Sequence, residues 1–180
     1  DRELLDAFLY SMEMDLSQQS HDQASYNQYI FGSAEVVGLM CLKIFCNGND
    51  AQYEALKPAA QSLGAAFQKV NFLRDLKADY EDLSRTYFPN TDLNKLTDTS
   101  KKEIIDDIEA DFKMAYEGIL RLPIEAKFGV YTAYRYYKRL LKRLKTTPST
   151  EIKNTRIRVP DYEKAELLAR CYVKYRLNLL

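Results

Sequence analysis

Gln68, Asn71, Asp75 and Asp79 lie in one run, Gln68-Lys-Val-Asn71-Phe-Leu-Arg74-Asp75-Leu-Lys-Ala-Asp79. On a helix each residue advances about 100°, which puts the four at about 0°, 300°, 340° and 20°, a polar stripe roughly 80° wide. The other faces carry Phe67, Val70, Leu73, Leu76 and Tyr80. A helix that is apolar over most of its surface belongs inside a bundle. Carboxylates facing inward there must be satisfied, and oxygen donors at i and i+4 suit a hard divalent cation bridging phosphate oxygens. Asn71, Asp75 and Asp79 are therefore the candidate metal ligands, with Gln68 in line and Gly64 one turn earlier leaving room.

Arg74 adjoins the stripe, and Arg85-Thr-Tyr87-Phe-Pro89 follows the end of the helix. Arginine stays charged and grips phosphate through two donors at once. The competing reading pairs Arg74 with Glu81 or Asp82 near the surface. A second carboxylate pair, Asp107 and Asp111, shares its helix with Asp106 and Glu109. Without apolar flanks it reads as a solvated acidic face.

Other chemistries have little to work with. The one histidine, His21, sits in the polar run Ser17-Gln-Gln-Ser-His21-Asp-Gln and is expected to be solvated, which leaves nothing for a Ser-His-Asp triad or a His-based zinc site. Cys41, Cys46 and Cys171 form no CxxC pair, and their odd number favours reduced thiols in a cytosolic compartment. The start, Asp1-Arg-Glu-Leu-Leu, has no signal-peptide character, and no apolar run is expected to reach membrane-spanning length. The absence of an initiator Met suggests a processed or truncated product.

The net charge of zero conceals an asymmetry: residues 131–180 hold 13 Lys/Arg against 4 Asp/Glu, so the tail is +9 and the rest −9. Two readings stand. Lys and Arg solvate helix faces, or they form a basic wall toward a polyanionic substrate or an anionic membrane surface. Nucleic acid is not expected, because no nucleic-acid motif accompanies the basic residues.

The elements needed to hold the stripe are all helical. Apolar spacing predicts helices over about residues 2–14 and 23–46. A long helix follows from a cap at Asn49 or Asp50 to about Leu83, with Pro58 starting or kinking its main part. Ser84–Asp98 has turn chemistry. Ser100-Lys-Lys-Glu103 reads as a capping box for a helix to about Leu122. Pro123 opens another to about Lys145, Thr146–Thr150 forms a loop, and Pro160-Asp161 starts the last. Short loops imply antiparallel packing in a single all-α bundle spanning residues 1–180. On the helix at 23–46, small residues at Gly32, Ser33, Ala34 and Gly38 allow either close packing or a channel for a long ligand. The cluster Tyr131, Tyr134, Tyr136, Tyr137 is mostly packing, with room for one or two to line a cavity.

Taken together, these segments resemble the squalene/phytoene synthase family, the head-to-head isoprenyl diphosphate synthases. The matching pieces are Arg2-Glu-Leu-Leu-Asp-Ala-Phe8 with Met14-Asp15-Leu16, the helix from Tyr29 to Met40, Gly64 through Asp79, Arg85-Thr-Tyr87-Phe-Pro89, and Arg156-Ile-Arg158-Val. Gly32-Ser-Ala-Glu35-Val-Val-Gly38 leans toward bacterial phytoene synthases. The resemblance implies an isoprenoid-synthase helical bundle in which Asn71, Asp75 and Asp79 form the second acidic, Mg²⁺-binding motif. Gln68 would be its polar neighbour in the cavity, and Arg74, Arg85 and Tyr87 would be diphosphate contacts. Tyr29, Ser33 and Gly38 would line a prenyl channel. A C-terminal arginine, Arg156 or Arg158, would add a further diphosphate contact, Arg158 being carried among the site residues.

The implied reaction is a Mg²⁺-dependent condensation of two prenyl diphosphates, geranylgeranyl diphosphate giving phytoene in carotenoid biosynthesis. Loss of diphosphate gives an allylic cation, the second substrate's double bond attacks it, and a cyclopropylcarbinyl diphosphate ionises and rearranges. Alternatives are squalene-type condensation of farnesyl diphosphate, which would also need NADPH, and a non-catalytic helical assembly protein of the same superfamily. Two departures accompany the match. Glu35 would be costly in a prenyl channel and is expected to point elsewhere. The family's first acidic motif has no counterpart in residues 1–60, since Asp1 to Asp6 has the wrong spacing. The resemblance thus implies the C-terminal two-thirds of a synthase domain, inactive alone and prone to self-association through newly exposed apolar surface. The implied location is cytoplasmic, with peripheral contact at the inner face of the membrane.

Overall fold

In a computed structural model, residues 2–17, 20–83, 85–89, 91 and 94–179 are described. The sequence folds as α1 (Arg2–Ser17), α2 (Gln23–Ile30), a π-helical turn (Phe31–Glu35), α3 (Val36–Phe45), α4 (Asp50–Leu83), α5 (Asp98–Ile119), α6 (Ile124–Thr146), α7 (Ser149–Ile152) and α8 (Asp161–Arg176). Among the described residues there is no strand, only one isolated parallel bridge between Ser20 and Thr86. Asp1, at the start of the Asp1-to-Asp6 spacing, lies outside the described residues.

Helix α4 is the axis of the bundle. It packs along α5 and touches the π turn, α3 and α6 as well. Val70, Leu73 and Leu76 are buried against Ile105, Ile108 and Phe112 of α5 and Leu140, Leu141 and Leu144 of α6. At about 25 cal/mol per Å² of apolar surface removed from water, burying such a ridge favours the bundle. Helix α8 lies on the outer side of α6, with Leu167 and Cys171 against Tyr131. Helix α1 backs the π turn and α3.

Several local signals act differently from their sequence reading. Pro58 neither starts nor ends a helix; α4 begins at Asp50 and continues through it. The capping box forms one turn earlier than expected. Thr97 Oγ1 accepts from the Ser100 backbone N–H at 3.1 Å, and Ser100 Oγ accepts from the Thr97 N–H at 3.0 Å. Serine thus fills the role assigned to Glu103, because only it lies three residues after the cap. Part of the Thr146–Thr150 loop is the single turn α7, which follows Pro148.

The apolar expectation also needs correction. Helices α2 and α3 run through the π turn as one 23-residue helix, Gln23–Phe45, long and apolar enough by length and composition to cross a membrane. In this fold it is a wall of the bundle, with Tyr26, Tyr29, Ile30, Val36, Leu39 and Leu42 buried. Its small residues permit close approach: a Cβ on Gly32 would lie 2.5 Å from the Ala7 carbonyl oxygen, and one on Gly38 would lie 2.8 Å from that of Ala60.

Candidate functional site

Between α3 and α6, with α4 as floor and the end of α5 closing one side, lies an apolar cavity of about 610 Å³. Ser33, Ala34, Gly38 and Cys41 line one wall, and Ala126, Gly129 and Ala133 line the other. The floor follows Leu56, Ala60, Gly64 and Gln68 along α4. Small residues keep this space open, so the glycines and alanines of the helix at 23–45 serve both readings of their spacing. They pack closely on one side and border the cavity on the other. The Ser33 hydroxyl is internally satisfied, donating to the Tyr29 carbonyl at 2.7 Å.

The polar stripe continues along α4 from the end of the cavity. Of its four members Gln68 lines the cavity, while Asn71, Asp75 and Asp79 lie further along the helix and are partly buried. At 1.5 Å per residue, Asp79 is about 16 Å beyond Gln68 along the axis. The Asn71 side-chain oxygen accepts from the Tyr137 hydroxyl at 3.2 Å. Tyr137 in turn stacks on Phe67, a residue of the cavity lining, with ring centres 4.0 Å apart.

Around the carboxylates are three guanidinium groups. Arg74 pairs with Asp75, its own neighbour, rather than with Glu81 or Asp82. Arg156 crosses from the segment before α8 to place Nε 2.7 Å from Asp75 Oδ1. Arg158, the site residue taken from the resemblance, is exposed and pairs with no carboxylate of the stripe among the described residues, whereas Arg156 does. Arg85 sits 3.3 Å from an Asp15 carboxylate oxygen and also donates to the Asp15 carbonyl. Asp79 forms no ion pair among the described residues. Burial, and then the charge of Asp75, push its carboxyl up to about 6, against the opposing pull of Arg85, Arg156 and Arg74.

Two residues expected near substrate stand differently. Tyr29 is buried among aromatic rings and lines no part of the cavity; its hydroxyl donates to Asp15 at 3.0 Å. Its distance from the cavity follows from the π turn, which adds a residue to the helical repeat and turns Ser33 and Ala34 toward the cavity instead. Tyr87 stacks on Phe72 with centres 4.0 Å apart and nearly parallel planes. His21, expected to be solvated, is buried against Tyr29 and Tyr87, because the chain after α1 folds back over the segment after α4.

Glu35 points away from the cavity, as its charge requires. Gln61 donates to it at 3.0 Å in a separate polar cleft, and burial raises its carboxyl above the usual range. The same cleft corrects the reading of Asp107 and Asp111. Lys69 of α4 bridges both, and Asp111 is half-buried with its carboxyl raised by burial. All three cysteines are free thiols; Cys41 is exposed, and Cys46 and Cys171 are buried.

Asp15 and Tyr137 therefore stand beside the predicted residues, Arg156 is the one of the two C-terminal arginines that reaches the stripe, and His21 packs behind Tyr87. Asp15 lies in the matching segment Met14-Asp15-Leu16, whereas only the folded chain brings His21 and Tyr137 here. The donors offered along the stripe are two carboxylates and an amide oxygen, all hard oxygen ligands that suit Mg²⁺. Among the described residues no group of three or more His, Cys, Asp or Glu side chains is placed to hold a metal ion.

The sequence model for the family described as squalene/phytoene synthase matches residues 1–163. The chain is 28% identical over 170 residues to a bifunctional lycopene cyclase/phytoene synthase from Blakeslea trispora, covering 82% of this chain and 27% of that protein. It is 25% identical over 186 residues to a protein of the same description from Pyrenophora tritici-repentis (strain Pt-1C-BFP), covering 87% and 30%. The chain thus spans less than a third of the length of these relatives. The match over most of the chain, together with an all-α bundle that carries the Asn71–Asp75–Asp79 helix, places this protein in the squalene/phytoene synthase family.

Proposed function

We propose that this chain binds a prenyl diphosphate for head-to-head condensation of the phytoene type, with geranylgeranyl diphosphate as substrate. One observation carries the reading: an apolar cavity of about 610 Å³ ends at Gln68, where α4 turns from small and apolar residues to carboxylates flanked by Arg74, Arg85 and Arg156. A molecule matching that sequence of environments has a long hydrocarbon tail and a polyanionic head.

Asn71, Asp75 and Asp79 would hold Mg²⁺. When bound, that ion would neutralise the diphosphate and stabilise the charge developing on the leaving group. The chain's own residues supply the rest. Arg74 and Arg156 are preorganised on Asp75, and an incoming diphosphate competes for their donors without any large rearrangement. The cavity walls hold the hydrocarbon away from water, which protects an allylic cation from hydrolysis. No side chain has to act as nucleophile in this reaction. The names of the two relatives favour phytoene over squalene, and hence a reaction without NADPH. The excess of Lys and Arg in residues 131–180 supports peripheral contact with an anionic membrane surface, from which a lipidic substrate would be drawn.

The exposed thiol provides a direct test. Cys41 lines the cavity while Cys46 and Cys171 are buried, so a maleimide reagent should modify Cys41 first. Geranylgeranyl diphosphate with Mg²⁺ is expected to slow that modification at least tenfold, read by mass spectrometry of the timed reaction. Equal rates with and without ligand, at concentrations up to the millimolar range, would count against a prenyl tail in this cavity.

A further inference from the structure

The chain's single histidine lines neither the apolar cavity nor the polar cleft and lies outside the acidic stripe, yet it is among the few buried polar side chains of the described residues. Its ring is stacked on Tyr87 with centres 5.5 Å apart and planes 19° apart. It meets Tyr29 edge-on at 5.3 Å. Tyr87 lies in turn flat on Phe72 of α4 at 4.0 Å. One residue earlier on each strand of the contact, Ser20 and Thr86 form the only β-bridge among the described residues. The segment after α1 is thereby fastened to the segment after α4 by a backbone bridge and a three-ring stack.

Arg85 occupies the start of that fastened segment. Its backbone N–H donates to the Asp79 carbonyl at 2.8 Å, and its guanidinium reaches Asp15. Without the stack, residues 85–87 would be an irregular strap following a helix end, and a long arginine on such a strap would sample many rotamers. We infer that His21 is a positioning residue, whose ring clamps Tyr87 against Phe72 and so fixes Arg85 beside Asp15 and Asp79 for an anionic ligand. The inference rests on the reading of Arg85 as a diphosphate contact. It assigns the work to the flat face of the ring: Nδ1 is buried without a hydrogen-bond partner, so no hydrogen bond from that nitrogen holds the strap. Burial also holds the imidazole pKa below its ordinary value, which favours the neutral ring that stacks best in an aromatic setting.

The test compares His21→Ala with His21→Phe in the 180-residue chain. Isothermal titration would measure two probes: inorganic pyrophosphate with Mg²⁺, which reports on the charged end alone, and farnesol, which reports on the hydrocarbon cavity alone. His21→Ala is expected to weaken pyrophosphate binding about tenfold or more, the scale of losing one charge-assisted hydrogen bond, with farnesol affinity unchanged. His21→Phe keeps the stack and should restore pyrophosphate binding to the wild-type value. The inference is overturned if His21→Ala binds pyrophosphate like wild type, if it loses farnesol as well, or if His21→Phe is no better than Ala. A wild-type chain that binds neither probe would instead remove the proposed function, and this inference with it.

Discussion

Asp79→Asn should make the protein more stable and less able to bind its ligand. The carboxyl is partly buried beside Asp75, and its folded-state pKa of about 6 exceeds the ordinary Asp value. Between pH 4 and 6 the folded chain therefore holds more protons than the unfolded chain, and stability falls as pH rises through that window. Above it the charged Asp79 costs about 1–2 kcal/mol, once partial solvent screening is allowed for. Asparagine removes the charge at constant size, so urea unfolding at pH 8 should give a stability higher by that amount. The gain should shrink as pH falls through that window and vanish by about pH 3, below both pKa values, where Asp79 is protonated in both states. The same substitution takes away one of the two stripe carboxylates, and Mg²⁺-dependent binding of pyrophosphate or geranylgeranyl diphosphate is expected to fall at least a hundredfold. A variant with unchanged Mg²⁺-dependent affinity would remove Asp79 from the proposed ligand set. A variant less stable at pH 8 would show that its carboxylate has a favourable partner in the fold.

The opposed signs of those two effects explain what could and could not be read from residue types. The stripe from Gln68 to Asp79 was legible because helical periodicity fixes which side chains share a face before any tertiary contact forms. The buried face of α4 was legible for the same reason, and so was the all-α class. What escaped depended on non-local contacts. His21 stands in a run as polar as any surface loop, and it is buried only because the chain returns over the Arg85–Pro89 segment. Arg156 and Arg158 are indistinguishable by type, and only the folded course of the segment before α8 puts Arg156 on Asp75. Tyr29 is named by the family resemblance alone, and in the fold it packs among aromatic rings just before the π turn at Phe31–Glu35 rather than along the cavity. No residue in Phe31-Gly-Ser-Ala-Glu35 announces a π turn, and its neighbours come close only in the fold, Gly32 against Ala7 and Gly64 against Ala34.

That approach gives the second large effect, a contrast between two glycines of the cavity wall. A Cβ on Gly64 would stand 2.6 Å from the Ala34 carbonyl oxygen and 3.0 Å from the Glu35 Cα, all backbone atoms of the π turn. Backbone cannot rotate away as a side-chain tip can, so Gly64→Ala must push α4 and the π turn apart. The expected loss is about 1–3 kcal/mol or more, measured by denaturant unfolding, with weaker prenyl diphosphate binding because Ser33 and Ala34 leave their places in the cavity wall. A Cβ on Gly129, by contrast, would meet nothing within 4 Å. Glycine inside α6 has no packing reason there and costs helix stability, so Gly129→Ala should raise stability by up to about 1 kcal/mol. The open space beside Gly129 is the cavity itself. Gly129→Leu should therefore fold normally while occupying that space, and the affinity gained in going from farnesyl to geranylgeranyl diphosphate should shrink or reverse. If Gly64→Ala proved as stable as wild type, the close contact between α4 and the π turn would not be what shapes this wall. If Gly129→Leu bound both chain lengths like wild type, the hydrocarbon would lie elsewhere.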